Sequence, residues 1–91
     1  VRPTIAAMRK IKSEAELARL KSAIAITAGA LERVAATIGP GILEARLKGE
    51  ILGEFVRHEA RPGFTSIVGS GPNATIPHYF GMHREIQEND L

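Results

Sequence analysis

Histidine is the side chain most often recruited to move protons or hold metals near neutral pH, and this sequence has three: His58, His78 and His83. Metal-binding pairs on a helix sit three or four residues apart. His78 and His83 are five apart in a stretch bearing Pro and Gly, which is weak support for a metal site. His58 falls in the last turn of a helical pattern, where its charge complements the helix end by some tenths of a kcal/mol. His83 reads as a solvated turn residue. His78 differs. It lies in Ile76-Pro77-His78-Tyr79, an apolar extended run straight after a glycine-rich turn. On its neighbours alone it reads as a satisfied core histidine.

The early carboxylates lie on helix faces within i, i+4 range of Lys or Arg, which suits solvated pairing. They include Glu14, Glu16, Glu32, Glu44, Glu50 and Glu54. No Ser-His-Asp order stands out. Gly69-Ser70-Gly71-Pro72-Asn73-Ala74 matches the dinucleotide pattern G-x-G-x-x-A. That pattern needs a following helix to face the pyrophosphate. Pro72, Thr75, Ile76 and Pro77 argue against one. No Lys-Ser or Lys-Thr follows the glycines, so a phosphate P-loop is excluded too. Cysteine is absent, which rules out thiolate sites and disulfides.

The elements that would position these residues follow from periodicity. Leu17, Leu20, Ile24, Ala28, Leu31, Val34 and Ile38 form one stripe of a helix over 14–38. Ser13 and Glu16 have the capping-box spacing, and Gly39-Pro40-Gly41 ends the helix. Leu43, Leu47, Ile51 and Phe55 predict a second helix over 43–59, with Lys48, Glu50, Glu54 and Arg57 on its wet side. It lacks a good N-cap. Gly49 and Gly53, four apart, suggest close packing against the first helix. After Arg61-Pro62-Gly63 the pattern turns to β: residues 64–68 and 75–80 read as short strands around a loop at 69–73. The fold class is therefore α+β, two helices followed by antiparallel strands. Residues 1–12 are a basic connector.

Ninety-one residues make one small domain, marginal by itself. Residues 1–40 carry seven Lys or Arg against three Glu; residues 41–91 carry five against seven acids. With only four aromatics (Phe55, Phe64, Tyr79 and Phe80), this is not the dense basic and stacking surface of a nucleic-acid binder. No apolar run approaches the roughly 20 residues of a membrane span. No signal peptide is visible. The absence of cysteine fits an intracellular protein, and a cytoplasmic setting is expected.

Several pieces, in order, resemble the pita-bread metallopeptidases. Met8-Arg9-Lys10-Ile11-Lys12-Ser13, then Glu16-Leu17 and Leu20-Lys21, looks like the entry to their catalytic domain. Pro40-Gly41 is similar to their inter-helix turn. Gly49-Glu50-Ile51, Glu54-Phe55, Arg57-His58 and Ala60-Arg61 resemble the aminopeptidase P branch. So do Ile67-Val68-Gly69-Ser70-Gly71, Asn73-Ala74 and His78-Tyr79. Ile86, Asn89, Asp90 and Leu91 resemble the turn before the first metal ligand.

The resemblance implies that residues 13–91 are the N-terminal half of such a domain, truncated before its ligands. It implies an Xaa-Pro aminopeptidase as parent, with a homo-oligomeric state and a peptide substrate with proline second. Two divalent ions, manganese by expectation, would sit in the parent on two Asp, one His and two Glu. None is expected in this chain. The ions would polarise the scissile carbonyl and hold the attacking hydroxide. His78 would hydrogen-bond substrate beside the metals without ligating them, and Phe64 would line the substrate pocket, lacking the hydroxyl of the Tyr common there. Leu43 stands where a Thr cap is frequent, and Asn89 where Gly is usual; Asn tolerates a left-handed turn. Prolidase is the neighbouring alternative. A non-catalytic pita-bread module binding protein or nucleic acid is the other.

Overall fold

A computed structural model describes residues 1–90. The chain begins with a helix, α1 (Arg2–Lys10), whose side chains are all exposed. Pro3 fits its first turn, where no N–H is needed. Helix α2 (Glu14–Thr37) starts as the sequence predicts. The Ser13 hydroxyl accepts from the Glu16 amide at 3.3 Å, and the Glu16 carboxylate accepts from the Ser13 amide at 2.7 Å. The helix stops at Ile38, where the backbone becomes extended, and Gly41 turns the chain at φ +83°. Helix α3 (Glu44–Arg57) packs back on α2.

The missing N-cap of α3 is supplied from far along the chain. The Glu44 amide donates to the Arg84 carbonyl at 3.1 Å. The Gly41 amide donates to the Ile86 carbonyl at 2.8 Å, and the Ile86 amide to the Ile42 carbonyl at 2.9 Å. Leu43 and Glu85 thus form an isolated antiparallel bridge.

The predicted strands are not formed. Among the described residues there are three α-helices, a 3₁₀ helix (Gly71–Thr75) and no strand. Residues 64–68 carry β-branched side chains that favour extension, but a strand exists only when a neighbour accepts its backbone bonds, and residues 64–68 pair with none. Residues 71–75, from the expected loop to the first residue of the second expected strand, are wound tight, and Pro77 removes a donor from that strand.

Two packing expectations also change. The face of α2 turned inward is Ile26, Gly29, Ala30 and Val34, with Ala30 only 1% exposed. The larger stripe of Leu17, Leu20, Ile24 and Leu31 stays 46–66% exposed. On α3 the inward stripe is Glu44, Leu47, Ile51 and Glu54. Gly49 and Gly53 do not touch α2: a Cβ at Gly49 would meet nothing within 4 Å, and one at Gly53 only the Arg57 side chain. The close approach lies at Gly29, where a Cβ would come 3.4 Å from the Glu54 carboxylate. Glu54 sets this spacing because it reaches across to Arg33.

The buried apolar core is Ala30, Leu47 and Ile86. The accessible surface is 7211 Å², against about 5,200 Å² for a compact monomer of this mass. The radius of gyration is 16.8 Å, where about 12 Å is usual for this length. A chain with so much apolar surface in water should self-associate. Light scattering on the 91-residue chain is expected to give a mass above one copy, reduced by Leu20→Glu with Leu31→Glu. A monomer at all concentrations would contradict this.

Candidate functional site

Glu44, the first residue of α3, is 0% exposed. A carboxylate without water needs donors on both oxygens. Oε1 accepts from the Ser70 amide at 2.7 Å, the Ser70 hydroxyl at 2.8 Å and the Asn73 side-chain amide at 3.2 Å. Oε2 accepts from the Tyr79 hydroxyl at 2.8 Å and the Arg84 amide at 3.4 Å. Burial alone would push this carboxyl up. The Ser70 amide, the Tyr79 hydroxyl, the Ser70 hydroxyl and the Asn73 amide outweigh burial and bring it down to about 2. The helix N-terminus it occupies also favours a negative charge.

The network extends outward. Ser70 accepts from Arg84 Nη1 at 2.9 Å while donating to Glu44. Arg84 clasps Asp90 with both terminal nitrogens, and Asp90 also accepts from the Gln87 amide at 2.7 Å. Arg84, with help from that amide, holds the Asp90 carboxyl below its usual range. Burial and the bond to Glu44 hold the Tyr79 phenol above its own. Gly69 is required here, because a Cβ would lie 2.8 Å from the Asn73 carbonyl oxygen. Asn89 takes φ +67°, the left-handed turn that Asn tolerates.

A second carboxylate, Glu54, ties α2 to α3. It pairs with Arg33, with Arg57 at 3.2 Å and with His58 Nε2 at 3.1 Å. Burial raises its carboxyl, and Arg33, His58 and Arg57 outweigh that and lower it. Glu44 and Glu54 are thus buried and paired across elements, contrary to the solvated pairing the sequence suggests. His58 is the C-cap residue of α3 and serves this cluster.

His78 is exposed, not a core residue. Its backbone is left-handed at φ +53°, and its ring lies 6.4 Å from that of Phe80, tilted by 51°. His83 is exposed, in an irregular stretch rather than a turn. Phe64, 83% exposed, lines an apolar groove of about 630 Å³ between α2 and α3 with Ile26, Ile51 and Phe55. His78 is not among the residues lining that groove.

General acid–base chemistry wants a pKa near the working pH. Glu44 sits far below it and is fully paired, so its role here is to hold, not to transfer a proton. Among the described residues no three His, Asp or Glu side chains converge as metal ligands.

The sequence reading missed Glu44 as an anchor. Two signals pointed to it: an uncapped helix with Glu at its first turn, and a loop of small donors, Ser70 and Asn73, with no phosphate to bind.

Residues 18–91 match the family model of metallopeptidase family M24. The chain belongs to this family. It is 45% identical over 91 residues to Xaa-Pro aminopeptidase from Escherichia coli, covering 99% of this chain and 21% of that protein. A probable dipeptidase, PepE, from Mycobacterium tuberculosis is 32% identical over 84 residues, covering 92% of this chain and 22% of the relative. Proline aminopeptidase P II from Yersinia pestis superposes with a TM-score of 0.89 at 43% identity, covering 98% of this chain and 21% of that one. A variant of Escherichia coli aminopeptidase P in complex with substrate gives 0.89 at 44% identity, covering 98% and 20%. The M24 chain described here spans about a fifth of the length of these relatives.

Two outcomes are expected. Glu44 has its folded pKa depressed from 4.5 to about 2. Its contribution to stability is therefore complete above pH 4.5 and lost as pH falls toward 2. Glu44→Gln should cost about 2–3 kcal/mol at neutral pH and flatten the loss across that window, as read by denaturant unfolding at several pH values. Gly69→Ala should cost about 1–3 kcal/mol by the same measurement.

Proposed function

We propose that this stretch serves a metal-dependent aminopeptidase that removes the N-terminal residue from peptides with proline second. The observation that carries this reading is 45% identity to an Xaa-Pro aminopeptidase along 99% of the chain. The backbone supports it, with a TM-score of 0.89 to an aminopeptidase P that holds substrate. The dipeptidase relatives support the alternative less, at 32%. The two divalent ions, manganese in this reading, are held by residues outside this stretch, which cleaves nothing alone.

His78 is the substrate contact in this reading. Its imidazole is exposed and so free to donate to a bound peptide. Its left-handed backbone supports the same role, since a non-glycine residue at φ +53° stores about 1–2 kcal/mol, and such strain gathers at functional sites. Phe64 supplies an apolar wall.

The test is a chimera in which these 91 residues replace the aligned stretch of the Escherichia coli enzyme. It should cleave Xaa-Pro peptides with Mn²⁺. His78→Ala should slow turnover by about a hundredfold, as loss of one transition-state donor does, with metal content unchanged. A folded, metal-loaded chimera that cleaves nothing would overturn the function. Loss of metal on His78→Ala would overturn its role.

A further inference from the structure

Glu44 cannot touch a substrate, being fully enclosed. What it does touch is the chain on both sides of His78. Before His78, its Oε1 accepts from Ser70 and from the Asn73 side-chain amide. Just after it, its Oε2 accepts from the Tyr79 hydroxyl, one residue beyond His78. Further on it is bonded to Arg84 twice: its amide donates to the Arg84 carbonyl, and its carboxylate accepts from the Arg84 amide.

Tyr79 is fixed from further sides. The Asn73 side-chain amide donates to the same hydroxyl at 3.0 Å. Gly81 lies against the ring, so that a Cβ there would fall 2.8 Å from Cε2. The backbone is left-handed at His78, between the Asn73 and Tyr79 ties, and again at Met82, φ +52°, between Tyr79 and Arg84. Two non-glycine residues hold that conformation only when the surroundings over-determine it. Surface tyrosines are not anchored in this way.

We propose that Glu44 is the positioning residue for His78, acting through the Tyr79 hydroxyl. The carboxylate fixes the Tyr79 ring, the ring fixes the backbone at 78–79, and the backbone sets the direction of the imidazole. This rests on the reading that His78 meets substrate. It adds that the precision of that contact is set by a side chain on another element.

The test uses the chimeric enzyme above. Glu44→Gln disturbs folding as well, so Tyr79→Phe, which removes one hydroxyl, is the informative variant. It should lower kcat on an Xaa-Pro peptide by about ten- to a hundredfold, the scale of a small misplacement, with metal content unchanged. In a His78→Ala background the same change should cost nothing more, because the two act as one unit. In the substrate-free protein, Tyr79→Phe should shift the imidazole resonances of His78 while leaving those of His58. Equal losses in both backgrounds, or unmoved His78 resonances, would overturn the positioning role. The resonance measurement needs no substrate. If the enzyme proves not to cleave Xaa-Pro peptides, it still decides whether Tyr79 orients His78.

Discussion

A carboxylate with no access to water must find every donor inside the protein, and Glu44 finds them on three separate segments. Ser70 and Asn73 come from the glycine-rich turn, Tyr79 from the run after it, and the Arg84 amide from the returning chain. Leaving any of these donors buried and unpaired costs about 1–3 kcal/mol. The irregular region from 69 to 90 therefore has a definite shape without a sheet. Side-chain bonds to one anion replace the backbone ladder that would otherwise organise it. Ser70 passes the constraint on, since its hydroxyl faces Glu44 on one side and Arg84 on the other.

What could be read from the sequence was what is local. Ser13 and Glu16 are three residues apart and cap α2 through their own backbone, so their spacing was sufficient. Asn89 in a left-handed turn was legible for the same reason. The family was legible because ordered short motifs survive even where their physical purpose is hidden. The strands were misread because β-branched side chains at 64–68 bias the backbone but cannot supply a neighbour. Glu44 and Glu54 were misread because each lies within reach of a surface cation on its own helix, and nothing in that spacing reveals a donor 26 or 21 residues away.

Helix α2 shows how periodicity can mislead in a different way. Its large residues, Leu17, Leu20, Ile24 and Leu31, mark an apolar face correctly, yet that face is not the one used against α3. The face in use is made of small residues around Gly29 and Ala30, which let the backbones approach until Arg33 and Glu54 meet. The helix thus has two apolar sides of unlike texture, one fitted by close contact and one left to solvent.

The borrowed cap on α3 has a consequence for the order in which this chain can fold. Helix α2 holds its own start signal and can form as soon as its residues exist. Helix α3 has none: its first amide waits for the carbonyl of Arg84, and Ile42 waits for Ile86. Closing that loop costs entropy before any bond repays it. In a chain made from its N-terminus, the first turn of α3 therefore leaves its leading amide to water until some forty later residues have emerged, whereas α2 carries its cap from the start although the two helices are neighbours in sequence.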